Sequence, residues 1–435
     1  MERIALQKLI DWKTSPDRKP LLVRGARQVG KTWLMRDFGE NHFDQTAYLN
    51  LEENAQGRQI FQASLSPTQL IPTLELLLNQ SLAAETLLIL DEIQAAPAAL
   101  TALKYFQEQA PHLPVIGAGS LLGVALQSSA SFPVGKVEFL DLAPLNFTEF
   151  LWATDRKRLA DQLESEDWSL INLTKALFIE ALRQYLVVGG MPAAVSLFSQ
   201  GAGYEAIQKT QADILTAYEL DIARHAPPEL FPRLNEAWQS IPAQLAKESR
   251  KFTYKQIREG ARGRDYEQAL LWLEGAGIIH RVSRVSKPEA PLKAFEERQN
   301  FKIYLADVGL LARLSQLDPR VILDPDGVFL QFRGALSEQF VLQELIAQEL
   351  DPRYWSAPNA QAEVDFVIQQ RGQVYPLEVK AATNLNAKSL RSYRQRFSPK
   401  QMFRLSLADY ARHEGLTDLP LFAANQLTHL IASED

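Results

Sequence analysis

"KPLLVRGARQVGKTWLMRDFG", residues 19–39, decides how the front of the chain folds. Leu21, Leu22 and Val23 form the short apolar run of a buried parallel strand. A loop framed by glycines follows: Gly25, Ala26, Arg27, Gln28, Val29, Gly30, Lys31, Thr32. The pattern after it is helical. The loop matches G-x-x-x-x-G-K-[ST], the Walker A phosphate loop, in the strand–loop–helix setting that motif requires. Glycines let backbone N–H groups turn onto phosphate oxygens, and the helix N-terminus adds partial positive charge. Lys31 supplies an ammonium to the β- and γ-phosphates, and the Thr32 hydroxyl suits a magnesium ion. Residues 25–32 are therefore the expected ATP site.

A partner motif lies downstream in "TLLILDEIQ", residues 86–94. Four apolar residues run into Asp91 and Glu92, the Walker B pattern at the carboxyl end of a buried strand, where open α/β sheets bind ligands. Asp91 is placed to hold Mg²⁺ and Glu92 to orient or deprotonate the attacking water. A third strand, "LPVIGAGS", ends at Gly119 and Ser120. The Ser120 side chain suits a γ-phosphate sensor, or equally an ordinary strand-to-helix turn.

The chain has 435 residues, enough for two or three domains. Its 46% hydrophobic and 23% charged content is that of a soluble globular protein. A net charge of −6 argues against wholesale coating of nucleic acid and leaves local basic patches open. The absence of cysteine excludes disulfides and thiolate metal sites. The charged N-terminus lacks a signal-peptide core, and the longest apolar run, 114–126, is too short to span a bilayer. The expectation is a cytoplasmic protein with no membrane partner.

Residues 155–225 read as helices broken at Gly189, Gly190 and Pro192, and the paired prolines of "HAPPEL" (225–230) mark a boundary. From 235 to 285 the order is helix, a short strand or turn, two helices and a strand, which suits a winged helix-turn-helix. Ten Lys/Arg against five Asp/Glu between Lys247 and Lys287 make it locally basic. Arg258, Arg262 and Arg264 could touch nucleic acid. The alternative is that they are solvated charges on a packing or protein-interaction module.

Near the C-terminus, "EVDFVIQQRGQVYPLEVK" (363–380) reads as a β-hairpin turning at Gln370, Arg371 and Gly372. Residues two apart share a strand face, so Glu363 and Asp365 lie together, as do Glu378 and Lys380. Upstream, "GALSEQFVLQELIAQEL" reads as an amphipathic helix with Glu338 near its start. Downstream, Lys388 to Arg404 carries six basic residues and no acid, including Arg391, Arg394 and Lys400.

"LLVRGARQVGKT", "LLILDEIQ", "VIGAGSLL", "LDLAPLNFTEF", "YLVVGGMPAAV", "FKIYLADVGLLARL" and "FRGALSEQFVLQEL" occur in an order that resembles AAA-type ATPases of bacteria and archaea. Those ATPases carry a C-terminal region long described only as a domain of unknown function. The resemblance covers nearly the whole chain. It implies an ATPase core, a helical lid, a winged-helix-like segment and a nuclease-like end. The helix, hairpin and basic helix at the C-terminus resemble the PD-(D/E)xK nuclease fold. Glu338, Asp365, Glu378 and Lys380 fall at its active-site positions, implying Mg²⁺ or Mn²⁺ held by the three carboxylates, with Lys380 beside the attacking water. In one respect the chain departs from the family: Gly135-Lys136 stands where Gly-Arg is usual, and lysine lacks the bidentate fork of an arginine finger. Arg24 and Arg183 are candidates for other roles.

The expected fold is α/β: an AAA-type P-loop NTPase parallel sheet (1–154), a helical lid (155–228), a winged-helix-like segment (229–325) and a PD-(D/E)xK-like α/β domain (326–435). The expected function is a Mg-ATP-hydrolysing ATPase controlling a nuclease-like domain that meets nucleic acid, DNA ahead of RNA, with homo-oligomers as a further partner. The alternative is an ATP-gated binding switch whose nuclease-like domain cleaves nothing.

Overall fold

The computed structural model describes residues 1–124, 135–247, 250–324, 330–358, 362–381 and 388–432. The expected boundary at 325/326 and the tail of the apolar run at 125–126 lie outside the described residues. The chain forms two compact units. One is Glu2–Ala143 with Trp272–Ile278; the other is Pro144–Leu271 with Ile279–Asp435. The expected boundary at 154 thus falls inside the second unit, where the helix Phe147–Ala153 buries Phe147 and Phe150.

In the first unit the strands are β1 (Leu21–Arg24), β2 (Gln45–Asn50), β3 (Thr86–Asp91), β4 (Val115–Ala118) and β5 (Glu138–Asp141). They form a parallel sheet in the order β2-β3-β4-β1-β5. β3 is buried at every position, as a run of Leu and Ile between crossover helices must be. Helices Lys31–His42, Pro67–Leu78 and Pro97–Gln109 pack on the sheet, and Leu49, Phe61, Leu88, Leu90, Leu103 and Phe106 fill the core. Val23 is level with Ala118, and Leu90 with Gly117. The carboxyl ends of β1, β3 and β4 therefore meet at one edge of the sheet.

The second unit opens with helices. Lys175–Val188 ends at Gly189, whose φ of +72° suits glycine, and Pro192 starts the next helix, as the sequence predicts. Tyr204–His225 stops at the expected boundary. Between Phe231–Leu245 and the strand β6 (Ile279–Val285) stand a 3₁₀ turn, Tyr254–Gln256, and one helix, Gly263–Gly275. Of the two helices expected after the turn, the described residues form one, and "GIIHRVSRV" runs into β6 as the strand it was expected to be.

β6 pairs antiparallel with β7 (Glu296–Leu305). With β8 (Arg353–Ser356), β9 (Glu363–Gln370), β10 (Gln373–Val379), β11 (Phe403–Ser406), β12 (Ala411–His413) and β13 (Leu416–Pro420) they form an eight-stranded sheet, ordered β12-β13-β11-β10-β9-β8-β6-β7. β9 and β10 are the expected hairpin, with Arg371 and Gly372 both at positive φ. β10 then pairs parallel with β11 across the basic helix Lys388–Phe397.

The helix Leu330–Ala347 corrects the sequence reading twice. Glu338 lies in its middle, and the helix is buried on its polar side as well as its apolar one. The polar side chains serve distant backbone: Gln339 brackets Leu305, Gln343 accepts from Val308 N–H, and Glu344 accepts from Phe147 N–H.

Candidate functional site: a phosphate loop and a carboxylate cluster

In the first unit the loop after β1 turns on three positive-φ residues, Gly25 (+147°), Gln28 (+67°) and Gly30 (+95°). A Cβ at Gly25 would fall onto the Leu142 carbonyl oxygen, so only glycine lets the loop pass. No side chain caps the helix that begins at Lys31, which leaves its first N–H groups facing the loop. Arg3, buried, donates to Val29 O at 2.9 Å and Ala143 O at 2.7 Å and pins the loop from behind.

Lys31 is only 7% exposed, and its ammonium donates to Gly25 O at 2.9 Å and Ala26 O at 2.8 Å. The Thr32 hydroxyl donates to Asp91 Oδ2 at 2.6 Å. Asp91 also accepts from the Tyr48 hydroxyl at 2.9 Å and from Glu92 N–H at 3.0 Å. Tyr48 lies beneath the Arg36 guanidinium, 3.8 Å from the ring centre. Burial and the Asp91 carboxylate raise its pKa, so it stays a donor. Glu92 sits at φ +50°, and its carboxylate accepts from Gln94 Nε2 at 2.6 Å. Ser120 is buried in the bend after β4.

The motifs from β1 and β3 thus meet, through Thr32 and Asp91. A hydroxyl and a carboxylate oxygen side by side are hard donors of the kind magnesium takes, and the Lys31 ammonium stands at the loop, so these residues fit Mg-ATP. Sequence reasoning missed Tyr48 and Gln94, because no motif marks them. Lys136 pairs with Glu108 at 3.0 Å, and Arg24 forks onto Asp141 at 2.8 and 2.6 Å. Arg183, in the second unit, lines a small cavity with Ile179, Leu336 and Arg333.

The C-terminal residues of the second unit stand differently. Glu338 is contacted by Arg250, accepts from the Tyr304 hydroxyl at 3.0 Å and lies 3.7 Å from Lys302 Nζ. Asp365 accepts from Val379 N–H at 2.8 Å, and Glu378 pairs with Lys380 at 2.6 Å. Lys302, fully buried on β7, lies 2.6 Å from Glu363 and 3.9 Å from Asp365. Among the described residues no group of three or more His, Asp or Glu is arranged to hold a metal ion. Of the expected trio, Glu338 stands against Arg250 and Lys302, Asp365 near Lys302, and Glu378 against Lys380. Lys302, Arg250 and Tyr304 escaped the sequence reading: all three lie outside the C-terminal motif. Beyond them, Arg404 forks onto the buried Asp418 at 2.7 and 2.8 Å.

Comparison with known proteins covers the chain in three parts. Residues 17–151 match the family model described as an AAA domain. This part is similar to AAA domains over the segment that carries the phosphate loop and the β3 acid. Residues 179–321 match a domain of unknown function (DUF8612), and residues 333–423 another (DUF4143). Uncharacterized proteins of Mycobacterium tuberculosis and Mycobacterium bovis are each 31% identical over 118 residues, 27% of this chain. The match spans only 25% of the length of those relatives. Among solved structures, a Walker-type ATPase of Pyrococcus abyssi aligns at 15% identity and TM-score 0.45, over 72% of this chain and 95% of its own. AMPPCP-bound DnaA of Aquifex aeolicus aligns at 12% identity and TM-score 0.29, over 62% of this chain and 86% of its own. Among the described residues no helix is long and apolar enough to cross a membrane.

Proposed function

We propose that the chain binds ATP with Mg²⁺ at residues 25–32, hydrolyses it, and uses that cycle to control a C-terminal nuclease-like domain that engages nucleic acid. The observation that carries the ATP reading is the meeting of Thr32 with Asp91 at 2.6 Å beside the buried Lys31. Thr32 and Asp91 would hold the ion, which when bound neutralises phosphate charge. Lys31 leaves the loop carbonyls to meet the β- and γ-phosphates. Glu92 orients the attacking water once Gln94 releases its carboxylate, and Ser120 lies at the end of β4 as a candidate γ-phosphate contact.

The succession of helix, 3₁₀ turn, helix and β6–β7 hairpin supports the winged-helix reading of the middle. Arg258 and Arg264, 61% and 76% exposed in their side chains, make long ion pairs of 3.6 and 3.8 Å among the described residues, which leaves them available to phosphates. Helix, antiparallel hairpin, basic helix and parallel β11 support the PD-(D/E)xK-like reading of the end. DNA is favoured over RNA as the partner, and a homo-oligomer would let a neighbour complete the ATP site that Lys136 leaves without an arginine.

The second reading is an ATP-gated binding switch that cleaves nothing. The buried Lys302 among Glu338, Glu363 and Asp365 favours it. An ATPase assay with and without single- and double-stranded DNA, beside a cleavage gel with Mg²⁺ or Mn²⁺, separates the two. DNA-stimulated hydrolysis without cutting supports the switch; cutting abolished by Asp365→Ala supports the nuclease. No ATPase under any condition refutes both.

A further inference from the structure

Lys302 is a lysine where the fold has no obvious use for one. It lies in the buried half of β7, level with Val282 of β6, and its side chain is fully enclosed. Burying an ammonium is unfavourable unless carboxylates surround it. Three do: Glu363 at 2.6 Å, Glu338 at 3.7 Å and Asp365 at 3.9 Å, with the face of Tyr354 5.0 Å away.

The charges around it nearly balance. Glu338, Glu363, Asp365 and Glu378 are four carboxylates; Arg250, Lys302 and Lys380 are the three cations paired with them. The remaining oxygens are also engaged in part, by the Tyr304 hydroxyl on Glu338 and by Val379 N–H on Asp365. A divalent ion entering this cluster meets one net negative charge rather than four, and an ammonium within reach of the same oxygens.

We propose that Lys302 is the resident cation of this domain, occupying as an ammonium the place among Glu338, Glu363 and Asp365 that a divalent ion would otherwise take. The cluster is then a fixed-charge latch that ties β7 to β9 and to the helix Leu330–Ala347. Its hard oxygen donors would make a site for Mn²⁺ or Mg²⁺ once the ammonium is removed. The inference sharpens the second reading of the C-terminal domain and is independent of the ATP site.

The test is a Mn²⁺ titration of the full chain without nucleotide, followed by electron paramagnetic resonance, so that any ion near Asp91 is a constant background. Wild type, Lys302→Met, and Lys302→Met with Asp365→Asn are compared. The expected result is one additional Mn²⁺ bound at least about tenfold more tightly by Lys302→Met than by wild type, and lost again with Asp365→Asn. A folded Lys302→Met protein with no added site overturns the proposal. If circular dichroism shows that Lys302→Met does not fold, wild type is compared with Asp365→Asn and Glu378→Gln. Identical isotherms then support the proposal, and Mn²⁺ binding by wild type that either substitution removes overturns it. ATP binding is measured separately, so failure of the ATP reading leaves this result standing.

Discussion

Replacing Glu344 with glutamine removes a charge that the second unit tolerates poorly at alkaline pH. The Glu344 carboxyl is fully buried; one oxygen accepts from Phe147 N–H at 2.8 Å and the other has no hydrogen-bond partner among the described residues. Burial is the main cause that raises its pKa from 4.5 to about 8; the Phe147 N–H opposes the rise, and the Glu149 carboxylate adds to it. The folded protein therefore keeps a proton that the unfolded chain releases first. The stability this contributes is fully present below about pH 4.5 and is lost as pH rises through about 8. The slope is about 1.4 kcal/mol per pH unit, which gives a ceiling of ~5 kcal/mol across the interval. Glutamine of nearly the same shape can still accept from Phe147 N–H but cannot ionise. Thermal melting of wild type and Glu344→Gln at about pH 5.5 and about pH 8.5 reads the difference. Wild type should lose several degrees more than the variant on going to the higher pH, on the scale of a few kcal/mol. Parallel pH profiles for the two proteins would refute the reasoning.

Other positions give independent checks. Gly25→Ala puts a Cβ onto the Leu142 carbonyl oxygen at φ +147°, a strain of about 1–3 kcal/mol. It should weaken binding of a fluorescent ATP analogue severely while leaving the second unit's melting in place; unchanged affinity would contradict the loop geometry. Asp307 is fully buried and accepts from Gly190 N–H at 2.5 Å and Leu310 N–H at 2.9 Å, holding the Gly189–Gly190 break against the start of the helix Val308–Leu314. Asp307→Ala should cost about 2–5 kcal/mol, visible as a lower melting temperature.

The phosphate loop was legible because its chemistry is local: a strand, a loop with glycine at two fixed places, and a helix, all within residues 19–39. Asp91 was legible for the same reason, as an acid closing an apolar run. Tyr48 and Gln94 were not. Tyr48 reaches Asp91 only because β2 and β3 pair in parallel register, with Asn50 level with Asp91, and that pairing is set by a long crossover. The hairpin at 363–380 could be read from its alternation and its Arg371-Gly372 turn, and the observed register agrees. What fills the space beside it could not, since Lys302 and Arg250 come from elements far back in the chain. The helix Leu330–Ala347 shows the limit of periodicity most clearly. Gln339, Gln343 and Glu344 look like a solvent face, yet they cap Leu305, Val308 and Phe147, partners that only tertiary structure supplies.

The central claim, that residues 25–32 grip a nucleoside triphosphate, is tested most directly by calorimetric titration of Mg-ATP into wild type and Lys31→Ala. In the proposed complex the Lys31 ammonium moves from the loop carbonyls to the β- and γ-phosphates, and losing those charge-assisted bonds predicts that the variant binds about a hundredfold more weakly or not at all while melting like wild type. Equal affinity in the two proteins would contradict the account.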